Sequence, residues 1–230
     1  MGYAVLPGEP PVEIVLRRSA RARRISLRVS ALDGRVTLSV PKGIADADAL
    51  AFAREKNDWI RKHLDKHIAP MRIEIGGQVL VAGQQLKIVT GPVKTVQIDA
   101  ITLVVPPAPN MVTARVKTFL KLAAKTQLHR ASHLYADRVG RKIGKITLRD
   151  TRSRWGSCTA QGNLMYSWRL AMAPPPVLDY VAAHEVAHLV ELNHSAAYWA
   201  IVDRICPGYQ AHRKWLRTHG GTLHQYRFDD

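Results

Sequence analysis

Several features that define whole classes of protein are scarce or missing in this sequence of 230 residues. It contains two cysteines, Cys158 and Cys206, which are too few for a disulfide framework. No stretch approaches the roughly 18 consecutive apolar residues that a membrane-spanning helix requires. The opening residues lack a basic region followed by an apolar one, and Leu6 occupies the position where N-myristoylation requires Ser or Thr. We therefore expect a cytoplasmic protein that does not bind membranes.

Acidic residues are also scarce relative to basic ones, with 18 Asp and Glu against 34 Lys and Arg. The basic excess is concentrated in segment 111–154, which holds 12 basic and 2 acidic residues, whereas residues 155–230 hold 6 of each. A basic surface favours phosphate polymers or acidic partners through a salt-dependent interaction that does not read sequence. Two interpretations stay open: non-specific binding of nucleic acid through segment 111–154, and a solvated cationic surface with no dedicated partner.

Stretches rich in Pro and Gly divide the chain into three predicted segments. Residues 1–12 contain Pro and Gly and are expected to be a flexible N-terminus. Residues 13–110 are predicted to form a β-rich part, and residues 111–230 a separate domain. The boundary is placed at the proline-rich stretch 106–110, which is the clearest break in the sequence.

The β-rich part is predicted to contain a hairpin, one helix and a small antiparallel meander. The predicted elements are strands at 13–18, 25–30 and 35–40 with a turn at 32–34, a helix from Asp46 or Asp48 to about residue 68, and a meander over 73–105. Six arginines between residues 17 and 28 alternate with apolar residues. That alternation is typical of the solvent face of a sheet, and a surface for the nucleic-acid backbone is the alternative.

The second predicted domain contains most of the helices. Its predicted elements are a helix at 112–138, strands at 145–149, 152–157 and 163–170, an apolar helix after the prolines 174–176, and two closing helices at 196–204 and 209–218. Ser195 is expected to cap the first of the closing helices.

The apolar helix carries the motif HEVAH at residues 184–188. Two histidines four residues apart lie about 40° apart around a helix axis, one turn above the other, so both imidazoles can bind one metal ion. Glu185 would project beside that ion. Two neutral nitrogen ligands and a carboxylate that can take a proton from an attacking water are typical of a zinc hydrolase. His194 is the predicted third ligand, with Glu191 or Asp203 next in line.

Two other histidine pairs have the same spacing, His63 with His67 and His129 with His133. Neither pair has a Glu after its first histidine, and both lie in highly charged stretches, so we interpret them as solvated helix faces. The helix around 184–188 is apolar almost throughout, and polar groups buried on such a helix need partners. A metal ion is therefore favoured over two hydrogen-bonded core histidines.

The sequence resembles the YgjP-type zinc metallopeptidases, which are related to the SprT and Spartan-like proteases. The matching stretches are Arg154 to Cys158 (RWGSC), Asn163 to Leu170, the HEVAH helix, Asn193 to Ser195, Tyr198 with Trp199, and Tyr209 to Trp215; an arginine-rich hairpin and a helix containing Trp59 fit the same family. The resemblance extends over roughly residues 15–220. It implies an α+β fold with a zincin-like core, in which one zinc ion per chain is bound by His184, His188 and His194, with Glu185 as the catalytic carboxylate.

One departure from the wider metzincin pattern concerns the end of the HEVAH helix. Glu191 stands where that pattern has a turn-forming Gly. Because Asn adopts the left-handed conformation more readily than most residues, Asn193 is the better candidate for the helix end. The helix is therefore expected to run about one turn longer.

The expected chemistry needs further groups around the metal. Glu185 would accept a proton from the attacking water and pass it to the departing amine. A second donor to the oxyanion is usually required, and the candidates are Tyr198, Tyr209, Arg154 and His212. By resemblance, one strand of the hairpin before the HEVAH helix would offer an open edge to an extended substrate. Cys158 is interpreted as a small core residue, with a fourth, blocking metal ligand as the alternative.

Two functions are consistent with these patterns. The first is a zinc-dependent metallopeptidase that acts on polypeptides. The second is a nucleic-acid-associated protein with a structural zinc site and a basic binding face. Glu185 favours the first, because structural zinc sites are closed by four protein ligands and need no carboxylate beside the metal.

Overall fold

A division at Ala69 separates two units, residues 1–69 and 70–230, in the computed structural model, which describes residues 2–30, 34–64 and 70–228. The boundary predicted at 106–110 falls inside the second unit. The reason is that the strands before this stretch bury their apolar side chains in the same core as the helices after it, as Leu103 and Val116 show. The prolines mark a connection between two elements of one core.

The first unit is a four-stranded sheet with two helices. Its elements are β1 Gly2–Leu6, β2 Val12–Ser19, β3 Ser26–Val29, β4 Val36–Pro41, α1 Asp46–Glu55 and α2 Asn57–Leu64. The strand order is β1-β2-β4-β3, with β2 and β4 parallel and the outer pairs antiparallel. The prediction of a flexible segment 1–12 is wrong for residues 2–6, which pair with β2. Leu6 is the one buried residue of this strand, and Tyr3 and Val5 are exposed, so the pairing leaves little trace in the side-chain composition.

The predicted hairpin between residues 25 and 40 is confirmed by the antiparallel pairing of β3 with β4. Alternate residues of β4 are fully buried: Val36, Leu38 and Val40. Of the predicted turn, Gly34 takes a positive φ of 66° and the two residues before it lie outside the described residues. The six arginines between residues 17 and 28 are all exposed, as expected for the solvent face of a sheet.

The single helix predicted from Asp46 or Asp48 to about residue 68 is two helices that meet at Lys56. Neither aspartate caps the first helix, because its N-cap is Ala45, which makes no side-chain hydrogen bond. Asp46 instead forms an ion pair with Arg18. The part of the prediction beyond residue 64 lies outside the described residues.

The second unit contains three sheets and four helices among its described residues. Its elements are β5 Met71–Arg72, β6 Gln78–Val81, β7 Gln84–Thr90, β8 Gln97–Asp99, β9 Thr102–Val105, α3 Val112–Arg138, β10 Ile146–Arg149, β11 Gly156–Cys158, β12 Leu164–Ser167, α4 Pro175–Ala187, α5 Ala196–Ile205, α6 Tyr209–His219 and β13 Tyr226–Arg227, with 3-10 turns at 109–111, 168–172 and 220–224. The α+β class is thus confirmed. The three prolines at 174–176 open α4 and the two closing helices appear within one residue of their predicted ends.

The predicted meander over 73–105 is correct in its strands and wrong in its connections. The sheet order is β6-β7-β9-β8, and β7 pairs with β9 in parallel. The antiparallel hairpin of β8 and β9 places β8 at the outer edge and β9 against β7. Hydrophobic alternation reports which face of a strand is buried, but it does not report which neighbour the strand pairs with.

The long helix α3 begins and ends at the predicted residues and lies against α4. Its buried residues recur at helical spacing: Val112, Val116, Leu120, Ala124, Leu128, Ala131, Ser132, Tyr135 and Ala136. Leu134, which precedes the buried Tyr135, is 42% exposed. No helix in the described ranges, α3 included, is long and apolar enough to cross a bilayer.

A buried arginine connects the end of β10 to the C-terminal segment. Arg169 is 6% exposed, and its guanidinium donates to both carboxylate oxygens of Asp150, at 2.6 and 3.1 Å. It also donates to the carbonyl oxygens of Leu223 and Tyr226, at 2.9 and 3.0 Å. Because Leu223 and Tyr226 are buried, the guanidinium compensates for the desolvation of their carbonyl oxygens.

Replacing Arg169 by Met is expected to lower the free energy of unfolding by about 3 kcal/mol, since the carboxylate and two carbonyls lose their donor. Urea unfolding of the whole chain measures the change. The exposed Arg149 is a matched control, because Arg149→Met removes the same charge from the same part of the chain and should cost no more than about 0.5 kcal/mol. Equal midpoints for the two variants would contradict the structural role of Arg169.

Candidate metal centre

The helix that carries HEVAH begins at three prolines and is buried on nearly every side. Pro174 is the N-cap of α4, and the fixed φ of Pro175 and Pro176 suits the first turn. The residues that follow are apolar around the whole helix, which is typical of a helix inside a core.

A turn between β6 and β7 fixes the start of α4. Ala82 and Gly83 have positive φ angles of 49° and 80°, and their backbone N–H groups donate to the carbonyls of Ala171 and Met172, at 2.8 and 2.9 Å. A Cβ at Gly83 would lie 2.9 Å from the ring of Pro174. The glycine is therefore required by both the backbone conformation and the close approach to Pro174.

The end of α4 differs from the prediction. The helix ends at Ala187 with His188 as its C-cap, so it is shorter than expected and does not extend toward Asn193. The N–H groups of Leu189 and Val190 bond to carbonyls three residues back, which tightens the chain into a turn. Asn193 does not adopt a positive φ. The chain leaves the helix directly after its second histidine.

This early turn brings three imidazoles together. One ring nitrogen from each of His184, His188 and His194 lies within 4.8 Å of the others, and no other group of three metal-binding side chains occurs among the described residues. The Nε2 atoms of His184 and His194 are 3.2 Å apart. Two nitrogens on a tetrahedral zinc ion are separated by about 3.3 Å, given Zn–N distances of about 2.05 Å. The separation between His184 and His194 is therefore suitable for two ligands of one metal ion.

The ring orientations and charges also suit metal binding. His188 uses Nδ1 to contact the carbonyl oxygen of Glu191 at 3.1 Å, which leaves its Nε2 for a metal. Burial, followed by the neighbouring histidines His188 and His194, lowers the pKa of His184 to about 3. Burial also lowers the pKa of His188. Both imidazoles are thus neutral at pH 7, which is the form that binds a metal.

The alternative ligands lie outside this group. The Glu191 carboxylate accepts from the backbone N–H of Asn193 at 3.3 Å, and Asp203 lies 3.5 Å from the amide of Gln210. Cys158 is half-buried, and burial together with the charge of Glu185 raises the pKa of its thiol to about 11. A neutral thiol is a poor zinc ligand, since the thiolate is the binding form.

The described histidines of the two other pairs are not members of this group. On α3, His133 is exposed and His129 is half-buried, with ring centroids 5.9 Å apart. His63 stacks on Trp59 and contacts its carbonyl oxygen, while His67 lies outside the described residues.

Aromatic side chains from α5 and α6 surround the three histidines. The Tyr198 ring stacks on His188 with centroids 4.5 Å apart, and its hydroxyl donates to the carbonyl oxygen of His184 at 2.8 Å. Ser195 caps α5 as predicted, by accepting from the N–H of Tyr198 at 3.2 Å. Trp199 stacks against His194 at 5.7 Å. These contacts hold the imidazole rings in place.

Glu185 is buried against an edge strand. It is 5% exposed, and a Cβ added to Gly156 in β11 would lie 2.5 Å from its Oε1 atom. Only glycine allows the carboxylate to approach the strand this closely. Burial raises the pKa of Glu185 to about 8, and the nearby charge of Arg154 opposes that rise.

The strand beside Glu185 has an unpaired edge within the described structure. The sheet order is β10-β12-β11, so β11 pairs only with β12. Backbone bonds join Trp155 to Ser167 and Thr159 to Asn163 across this pair. Hydrogen-bonded residues alternate in an antiparallel ladder, so Gly156 and Cys158 direct their N–H and C=O groups away from β12. An extended peptide can pair with such an edge.

The four predicted oxyanion donors occupy different environments. The Tyr198 hydroxyl is already bonded to the α4 backbone. Tyr209 is 8% exposed and stacks between Tyr180 and Trp199, while the charge of His212 acts on Asp179. Arg154 is exposed, and it is the candidate whose charge acts on Glu185.

Two residues beside the cluster were not among the predicted site residues. Gly156 lies within the stretch RWGSC, but its contact with Glu185 depends on tertiary packing. Arg213 lies on α6 with its guanidinium 4.4 Å from the centre of the Trp199 ring. Its position four residues after Tyr209 puts both on one face of α6, which was a usable signal.

Comparison with known proteins places the chain in a family. No curated protein matches it. The crystal structure of the metallopeptidase zymogen of Pyrococcus abyssi abylysin is similar over 42% of this chain and 92% of that chain, with 20% identity and a TM-score of 0.34. The model of the YgjP-like metallopeptidase domain matches residues 23–219. Since this match extends over most of the sequence, the chain belongs to the YgjP-like metallopeptidase family.

Proposed function

We propose that this protein is a zinc-dependent peptidase in which His184, His188 and His194 bind one zinc ion and Glu185 is the general base. The convergence of three imidazoles beside a buried carboxylate is the observation that supports this proposal most strongly. The metallopeptidase family supports hydrolysis of polypeptides. Zinc bound by the three histidines would polarise the scissile carbonyl and lower the pKa of a water molecule.

Glu185 is the residue that moves the proton. Its carboxylate accepts a proton from the attacking water and later releases it to the departing amine. Burial beside Gly156 raises its pKa to about 8, so it holds a proton more tightly than an ordinary carboxylate does. A group with a pKa near the working pH can both accept and release a proton in each turnover.

The edge of β11 positions the substrate. Its outward N–H and C=O groups at Gly156 and Cys158 pair with the backbone of an extended chain, and this pairing is open to any substrate sequence. Pairing at this edge places the substrate backbone next to Glu185. Of the four oxyanion candidates, Tyr198 has its hydroxyl occupied by the α4 backbone, whereas Arg154 is exposed and immediately precedes this edge.

The metal assignment predicts that His194→Ala loses most of the bound zinc. Two histidines remain in that variant. The carboxylates of Glu191 and Asp203 have other contacts and should not replace the third ligand. Elemental analysis after dialysis should fall from one zinc per chain to well below one. His133→Ala, at an exposed position on α3, is the matched control and should keep its zinc. Full zinc content in the His194 variant would mean that the third ligand lies elsewhere.

The base assignment predicts that Glu185→Gln keeps zinc and loses hydrolysis of an unfolded protein by at least about 100-fold, since the amide cannot accept the proton. Gly156→Ala tests the same carboxylate without changing it, because the new methyl group would displace Oε1. It should also keep zinc and lose activity. Gly221→Ala is its control, as no atom lies within 4 Å of that added methyl. A fully active Gln variant would remove Glu185 from the proposed mechanism.

A second candidate function, binding of nucleic acid, is favoured by a cationic cavity between α3 and β10. The cavity of about 270 Å³ is lined by four basic side chains together with one carboxylate and two apolar residues: Lys117, Lys121, Arg149, Arg152, Asp150, Leu148 and Trp168. The carboxylate of Asp150 is bonded to Arg169, so the positive charges outweigh it. All four cations belong to the basic segment 111–154. Phosphate groups match a cavity of this charge.

If this surface binds nucleic acid, affinity should fall steeply with salt and depend little on sequence. Replacing Lys121, Lys125 and Arg149 by Gln should reduce the slope of log affinity against log salt by up to about 0.9 per lost contact. Exposed cations outside the segment, changed together in Arg204→Gln, Lys214→Gln and Arg217→Gln, are the control. A filter-binding titration at several salt concentrations measures both. Negligible binding by the unaltered protein at low salt, or equal losses in both triple variants, would exclude this role.

A further inference from the structure

Arg213 of α6 lies over the ring of Trp199, which packs against the three histidines. The Arg213 guanidinium lies 4.4 Å from the centre of the Trp199 ring. That ring lies 5.7 Å from His194 and 5.8 Å from His184, centroid to centroid. Stacking on the indole restricts the orientation of the guanidinium while its edge stays exposed to solvent. The side chain is therefore pre-organised at the border of the cluster.

A second arginine approaches from the edge strand. Arg154 lies two residues before β11, and its charge acts on Glu185. Gly156 of β11 contacts the carboxylate of the same Glu185. Arg154 is exposed and directly precedes the strand edge that is free to pair with a peptide. A substrate lying along β11 would pass this cation.

Among the described residues, three acidic side chains on the neighbouring elements have other partners. Asp179 of α4 lies 3.8 Å from Arg130. The Glu191 carboxylate contacts the backbone of Asn193, and Asp203 of α5 contacts Gln210. Glu185 is the carboxylate on which the charge of Arg154 acts. In the proposed function this carboxylate binds the attacking water. Both arginines are thus available to an incoming anion.

We propose that the protein cleaves polypeptides next to acidic side chains, with Arg154 and Arg213 binding Asp or Glu residues near the scissile bond. This inference rests on the proposed peptidase function and adds the substrate class to it. Guanidinium groups bind carboxylates through two parallel hydrogen bonds, which gives geometric selectivity as well as charge. The positive charge of the metal acts in the same direction.

The cleavage preference is measured with the zinc-loaded full chain and a library of peptides of random sequence. Cleavage sites identified by mass spectrometry should be enriched in Asp and Glu within a few residues of the cut. Arg213→Glu should lose this enrichment and shift it toward Lys and Arg, whereas Arg213→Lys should keep part of it. Lys214→Gln, an exposed change on the same helix, should leave the preference unchanged.

Kinetics separate recognition from catalysis. For a peptide pair that differs in one Asp against Asn, Arg213→Gln should raise KM about fivefold for the acidic peptide only, the size of one exposed ion pair. Arg154→Gln should do the same if it binds side chains. A fall in kcat for both peptides would instead assign Arg154 to the oxyanion and remove it from this proposal.

Binding provides a readout that does not require turnover. Glu185→Gln with zinc bound should bind the acidic peptide more tightly than its Asn counterpart in fluorescence anisotropy, and adding Arg213→Gln should abolish the difference. Cleavage without acidic enrichment, or equal binding of the two peptides, overturns the preference and leaves the peptidase function intact. Absence of cleavage of every peptide by the zinc-loaded protein overturns the peptidase function, and the preference falls with it.

Discussion

The site depends on where one helix stops. Because α4 ends at Ala187, the chain turns immediately after His188. This turn brings the Nε2 atom of His194 to 3.2 Å from the Nε2 atom of His184. Had α4 continued for another turn, His194 would have been carried along the axis by about 1.5 Å per residue, away from the first two histidines. The contact between the His188 ring and the carbonyl oxygen of Glu191 stabilises this turn, so one imidazole both ends the helix and faces the cluster.

The sequence predicted the chemical groups of the site better than their arrangement. Helical periodicity was enough to place His184 and His188 on one face of an apolar helix. It was also enough to predict the limits of α3. The end of α4 did not follow from periodicity, because Asn193 has a suitable intrinsic preference that the local contact of the His188 ring with the carbonyl oxygen of Glu191 overrides. The closeness of Gly156 to Glu185 also escaped prediction, since it joins residues 29 positions apart that only the packing of β11 on α4 brings together. Pairing partners of strands, such as β7 with β9, are hidden for the same reason.

Charge is distributed unevenly around the proposed centre. The imidazoles of His184 and His188 are neutral at pH 7, since burial lowers the pKa of both, and burial raises the pKa of Glu185. Fixed cations stand further out, at Arg154 and Arg213 and along α3. Neutral ligands would leave the positive charge of a bound metal ion uncompensated. The arginines would add positive charge at the border of the site. Charges that steer a partner act over longer distances than those that react with it.

The turn of Ala82 and Gly83 has a consequence for the modularity of the chain. It donates two hydrogen bonds to the segment that leads into α4, and it does so from a sheet that precedes the proline-rich stretch. Recombination that cut the gene at those prolines would separate the reactive helix from the support of its first turn. The support of α4 therefore belongs to the unit that begins at Pro70, well before the long helix.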